Sequence, residues 1–176
     1  YDLRRKDQFD SLFGNLAIGQ NPTALHNGYL ILHWDFSLVQ SQGDTAAVEK
    51  ALHRHINDCI NEFVARYEHL LDKRIELQED NGLSSFRSVL TAVQYSGHKL
   101  YLFIDEYDNF ANEMMLGRQA QYEALLYGEG LFKTLFKAVK AAAGQGLDRV
   151  FITGTSPVAM TDISSGYNIA DNIYLL

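Results

Sequence analysis

Leu100-Tyr101-Leu102-Phe103-Ile104-Asp105-Glu106 decides the fold. Five apolar or aromatic residues run without a break and end on two carboxylates. The run is too short for a typical globular helix and lacks a 3.6-residue period, so it reads as a strand. Continuous rather than alternating hydrophobicity is the mark of a parallel strand covered on both faces. In such sheets ligands collect at the carboxyl ends of the strands, where Asp105 and Glu106 stand. Two acids at the end of a buried strand are costly to desolvate unless something compensates them. In P-loop nucleotidases the first acid of such a pair helps to hold Mg²⁺, and the second orients or deprotonates the attacking water. The structural alternative is that both acids cap a helix beginning near Asp108.

Outward from this strand the chain alternates. Upstream, Tyr29-Leu30-Ile31-Leu32-His33-Trp34-Asp35-Phe36 is a second apolar run bounded by turn signals. Downstream, Arg149-Val150-Phe151-Ile152-Thr153 is a third, ending at Gly154. Between the first two, Val48, Leu52, Ile56, Ile60, Phe63, Tyr67 and Leu70 recur every three or four residues. That spacing predicts a long helix over 45–72, with Asp44 as its N-cap. Lys73 to Gly82 is polar and reads as a turn. Phe86, Val89, Leu90 and Val93 predict a second helix from 85, ended near Gly97. Residues 119–143 predict a third helical block, divided near Gly128 and Gly130 and stopped at Gly144-Gln145-Gly146. Its stripe Leu131, Phe132, Leu135, Phe136 reads as core. Before the first strand, Phe9, Leu12 and Phe13 predict a short amphipathic helix, and residues 14–28 read as a loop. Strands alternating with helices give an α/β layered domain with a parallel sheet.

Composition sets the outer limits. The chain has 176 residues, 47% of them hydrophobic and 21% charged, enough for one domain with a real core. One cysteine, Cys59, excludes an intrachain disulfide and makes a reducing, cytoplasmic compartment the expectation. No apolar run approaches the ~20 residues of a membrane span. Fifteen Lys and Arg against 22 Asp and Glu leave a net charge of −7, so nucleic-acid binding is not indicated for this segment. The one tight basic cluster, Arg4-Arg5-Lys6, reads as a solvated face.

Phe151-Ile152-Thr153-Gly154-Thr155-Ser156 places hydroxyls and a glycine at the end of another buried strand. If the strands are neighbours, Thr153 shares a crevice with Asp105, where it would sense a γ-phosphate or position a water. The structural alternative is an ordinary Ser/Thr/Gly turn. Three further groups carry bland readings. His55 and Cys59 are spaced i, i+4 beside His53, but a structural cysteine near an apolar stripe fits them better than a metal pair. Asp35 ends its strand as a satisfied acid bordering the same crevice. Arg118 and Arg149 are candidate arginine fingers, and nothing in the sequence selects either.

Taken together, Ile104-Asp105-Glu106-Tyr107-Asp108, Thr153-Gly154-Thr155-Ser156-Pro157 and Ser164-Ser165-Gly166-Tyr167-Asn168-Ile169 resemble the predicted AAA-ATPase-like family. The stretch Phe13 to Phe36, with its Leu-His-Asn-Gly-Tyr before a strand ending in Asp-Phe-Ser, is similar to the family as well, so the resemblance spans nearly the whole chain. It implies a three-layer P-loop NTPase-like α/β fold over 1–176, with a Walker B strand at 99–106 and a sensor-like strand at 149–155. It implies ATP and Mg²⁺ as ligands. Asp105 matches the Walker B metal-site acid, Glu106 the catalytic acid, and Thr153 a sensor position, with Thr155 beside the nucleotide. Asp108 matches the motif without a chemical role attached. Tyr167 stands where the family usually has Phe. A PD-(D/E)XK-nuclease-like domain commonly follows in this family.

One element of a P-loop enzyme does not occur. No G-x-x-x-x-G-K-[ST] is present, and Gly14, Gly19 and Gly28 are too far apart to form it. That loop supplies the amide cradle and the lysine for the phosphates. The family carries it upstream of the stretch matching Tyr1. The expectation is therefore an internal piece of a longer ATPase, lacking its phosphate-loop strand and inactive alone. The start without Met and the apolar end Ile173-Tyr174-Leu175-Leu176 agree with it. The competing expectation is a non-catalytic α/β interaction module with relic Walker B acids.

Overall fold

The structure is a computed structural model, and it describes residues 1–109, 130–154 and 173. Its centre is a sheet of three strands, β1 (Tyr29–Asp35), β2 (Lys99–Asp105) and β3 (Leu147–Ile152), in the order β1-β2-β3. Both pairings are parallel, as the continuous apolar runs predict. Asp35 lies directly opposite Asp105, and Ile104 opposite Ile152, so all three strands end at one edge of the sheet.

Alternation along the strands sorts the side chains. Leu30, Leu32 and Trp34 of β1, with Leu100, Leu102 and Ile104 of β2, point into the main core and are essentially solvent-free. That core is closed by three helices, α3 (Thr45–Tyr67), α4 (Gly82–Ser96) and α5 (Leu131–Ala142). Two shorter helices, α1 (Phe9–Phe13) and α2 (Ala17–Gln20), precede β1. The opposite face of the sheet carries Tyr29, Tyr101, Phe103 and Phe151 in edge-on, tilted and stacked contacts, with Tyr1 against the first two. Covering on both faces was the expectation. Among the described residues α3, α4 and α5 share one core on one face, and Phe151 keeps 37% of its surface exposed on the other.

Helix α3 forms where its stripe requires. Asp44 caps it through Ala47 N at 2.9 Å, and Val48, Leu52, Ile56, Ile60, Phe63 and Tyr67 are its buried side. Each such large apolar side chain contributes about 1.5–3 kcal/mol on burial. The expected end at 72 comes earlier. Tyr67 closes the helix, and a 3₁₀ turn at Glu68–Leu70 follows. Tyr67 also donates structure to the sheet edge, its hydroxyl accepting the free Ile31 amide of β1 at 3.3 Å.

Helix α4 begins at Gly82, three residues before the periodic residues announced it. Asn81 caps it through Ser84 N, and Gly82 packs so tightly on α3 that a Cβ there would lie 2.7 Å from the His53 carbonyl. The polar segment before it is held by side chains. Asn57 Nδ2 donates to the carbonyls of Gln78 and Glu79, while the Ser85 and Ser88 hydroxyls accept from Gln78 N and Glu76 N. Gly97 ends α4 at φ +72°, the left-handed position expected of it. The expected α1 stripe is only partly realised, since Phe9 is buried but Leu12 and Phe13 are exposed. The expected loop over 14–28 contains the short α2.

Candidate functional site

The carboxyl edge of the sheet brings three of the predicted residues together. Asp105 is the last residue of β2, and Thr153 follows β3. The Thr153 amide donates to the Ile104 carbonyl at 2.9 Å, and the Tyr107 amide donates to the Thr153 carbonyl at 3.1 Å. These two bonds continue the β2–β3 ladder beyond the strands and fix the pair of chains side by side. The Thr153 hydroxyl then donates to Asp105 Oδ1 and accepts the Glu106 amide at 3.2 Å. One hydroxyl therefore engages both acids, the first through its carboxylate and the second through its backbone.

Glu106 has φ +47°, a left-handed backbone that a non-glycine residue adopts only when its surroundings hold it there. The turn this makes exposes the Glu106 side chain and buries the next two residues, Tyr107 and Asp108. Asp108, 1% exposed, and the Tyr107 ring both press against Gly154. A Cβ on Gly154 would fall 2.3 Å from Tyr107 Cε1 and 2.7 Å from Asp108 Oδ1. The Thr-Gly pair thus has two separate demands: a hydroxyl for the acids, and no side chain where the acid loop crosses. Glu106 lies in a turn, and its carbonyl accepts the Asn109 amide at 3.0 Å.

Strand β1 closes the other flank. His33 Nε2 lies 3.9 Å from Asp105 Oδ2, with both side chains 47% exposed. Asp35 is a satisfied strand-end acid as the sequence suggested. Its Oδ1 accepts from Ser37 N at 3.1 Å and Ser37 Oγ at 2.6 Å. His33 is the residue that sequence reasoning passed over. Its signal was its position two before Asp35, which puts it on the same sheet face.

The remaining candidates separate from this site. Arg149 Nε donates to the Tyr29 hydroxyl at 3.2 Å, and that hydroxyl donates to Asp148 Oδ2 at 2.8 Å. Lys99 Nζ reaches Asp148 Oδ1 at 3.0 Å. Burial pushes the Asp148 carboxyl up, but the hydrogen bonds from Tyr29 and Lys99 outweigh it and leave it below its usual range. Arg149 thus serves a link between the three strands, toward their amino ends. Cys59 Sγ is 3.5 Å from His55 Nε2 on α3. Burial pushes the Cys59 thiol up to about 12 and lowers His55, so this pair is a packed contact. Thr155, Arg118 and the Ser164–Ile169 block lie outside the described residues. Among the described residues no three His, Cys, Asp or Glu side chains converge to hold a metal by themselves.

A family model described as Predicted AAA-ATPase matches residues 1–164. The chain belongs to the predicted AAA-ATPase family. No curated protein and no solved structure matches it significantly. Family membership and the parallel sheet agree, since three parallel strands with helices are compatible with an incomplete α/β P-loop-like fold. No helix among the described residues of this AAA-ATPase-family chain is long and apolar enough to cross a membrane.

Proposed function

We propose that this chain supplies the Walker B and sensor half of an Mg-ATP-hydrolysing site. The observation that supports it is the single hydroxyl of Thr153 engaging both Asp105 and the Glu106 backbone at the carboxyl ends of two adjacent parallel strands. Family membership supports the same reading.

The donor chemistry fits Mg²⁺. Asp105 Oδ2 is a hard oxygen on a half-exposed carboxylate. Mg²⁺ keeps much of its hydration and takes one or two carboxylates plus nucleotide phosphates, so a lone protein acid meets its needs. When bound, the cation would neutralise charge on the phosphates. Asp105 would hold it directly or through water. Glu106, exposed on its left-handed turn, would orient the attacking water or take its proton. Thr153 would keep the two acids in register and, with Thr155, border the γ-phosphate. The amide cradle and lysine for the phosphates would come from sequence upstream of Tyr1, in a cytoplasmic protein that can carry a nuclease-like domain downstream.

Two measurements test the proposal. The isolated 176-residue chain should bind Mg-ATP weakly or not at all, and micromolar affinity would overturn the idea of an external cradle. In the natural full-length protein, Glu106→Gln should abolish turnover while sparing nucleotide binding. Retained turnover would remove Glu106 from its role. Absence of turnover in the unaltered full-length protein would instead favour a non-catalytic interaction module.

A further inference from the structure

The two oxygens of Asp105 face different neighbours. Oδ1 accepts the Thr153 hydroxyl from β3. Oδ2 faces His33 from β1, at 3.9 Å from Nε2. That separation is too long for a direct hydrogen bond and leaves both groups partly open to solvent. His33 is also anchored where it stands. It lies in the paired part of β1, opposite Phe103, between the buried Leu32 and Trp34. Its ring therefore projects on the face that carries Asp105, without having been built into the core.

From this arrangement we propose that His33 is a second acceptor for the hydrated divalent cation at Asp105, so that β1 as well as β2 and β3 contributes to the site. The inference rests on the Mg-ATP reading above and extends it to a residue which that reading does not use. The chemistry is one of counting. A hydrated Mg²⁺ presents O–H donors outward, so the surrounding protein must offer acceptors. Asp105 Oδ1 already accepts from Thr153, and Oδ2 is the oxygen that faces β1. The neutral imidazole accepts through Nε2 when the proton sits on Nδ1. Oδ2 and Nε2 together are a pair of acceptors at the separation given above, on neighbouring strands, and both half-exposed.

The test compares His33→Ala with His33→Gln in the natural full-length protein. Gln restores an acceptor oxygen in place of the imidazole nitrogen. The readout is Mn²⁺ affinity by electron paramagnetic resonance in the presence of a non-hydrolysable ATP analogue, with thermal melts as a folding control. Loss of an outer partner of this kind typically weakens metal binding about 10–100-fold. His33→Ala should weaken Mn²⁺ binding about tenfold, and His33→Gln should recover most of it. Unchanged Mn²⁺ affinity in a folded His33→Ala protein overturns the proposal. Equal losses in Ala and Gln also overturn it, because they would mean packing rather than acceptance. If the unaltered protein binds the analogue without any Mn²⁺ linkage, the Mg-ATP reading fails and the role of His33 fails with it. That outcome is distinguishable, since it appears before any substitution is made.

Discussion

Thr153 and Asp105, 48 positions apart in sequence, are joined by a hydrogen bond from the threonine hydroxyl to the carboxylate. The same oxygen accepts the Glu106 amide. The relationship converts two strand ends into one unit, because neither the Asp105 carboxylate nor the Glu106 backbone can move without disturbing the hydroxyl between them. It gives Thr153 a role in holding the acids beyond its expected place beside a phosphate.

Thr153→Val tests that role. Valine keeps the shape and removes the hydroxyl, leaving the Glu106 amide and one carboxylate oxygen without a partner. Stability should fall by about 0.5–1.5 kcal/mol, the net worth of a hydrogen bond whose partners water can reach, read by chemical denaturation. The full-length protein should lose turnover more than nucleotide affinity. Thr153→Ser should restore most of both, and equal damage from Ser and Val would argue that the methyl group matters instead.

Gly154 makes a second demand on the same loop. An added methyl group would overlap the Tyr107 ring, with its Cβ 2.3 Å from Cε1, and crowd Asp108 Oδ1. Tyr107 and Asp108 are both buried, so neither can swing into solvent. Gly154→Ala should therefore cost about 1–3 kcal/mol through overpacking. A melting temperature equal to that of the unaltered chain would show that the two loops separate more easily than their packing implies.

The strands were legible because their signal is local. Leu100 to Ile104 is apolar throughout, and such a run ending in acids has few other readings. The long stripe from Val48 to Tyr67 was legible for the same reason, each residue repeating the period of the one before. What could not be read was set by contacts distant in sequence. Gly82 looks like a turn residue until α3 is seen pressing against it, and Gly154 looks like flexibility until Tyr107 and Asp108 fill the space around it. His33 carries no motif of its own. Its proximity to Asp105 comes from the β1–β2 register, a pairing of residues about seventy positions apart that no local pattern encodes.

Backbone strain at Glu106 gives a prediction that separates stability from chemistry. A non-glycine residue at φ +47° costs about 1 kcal/mol or more relative to glycine. Glu106→Gly should relieve that cost and leave the Thr153 bond to the amide in place. The expected result is a chain as stable as the original or more so, by up to about 1 kcal/mol, with turnover of the full-length protein lost. A clear loss of stability would mean that the Glu106 side chain supports the fold, and would weaken its assignment as a free catalytic acid.

Cys59 provides a prediction with a pH sign. Its thiol is pushed up to about 12 by burial, above its ordinary value near 9. The folded chain therefore holds this proton more tightly than the unfolded chain does. The resulting contribution to stability is complete below pH 9, and it is lost as the pH rises through the folded value. Thiolate is the reactive form, so at pH 8 the native chain should react with a disulfide reagent roughly a hundredfold or more slowly than the unfolded chain. Labelling with and without denaturant checks this directly. Native labelling at the unfolded rate would show that partial burial does not suppress the thiolate, and would reopen the His55–Cys59 pair as a ligand site.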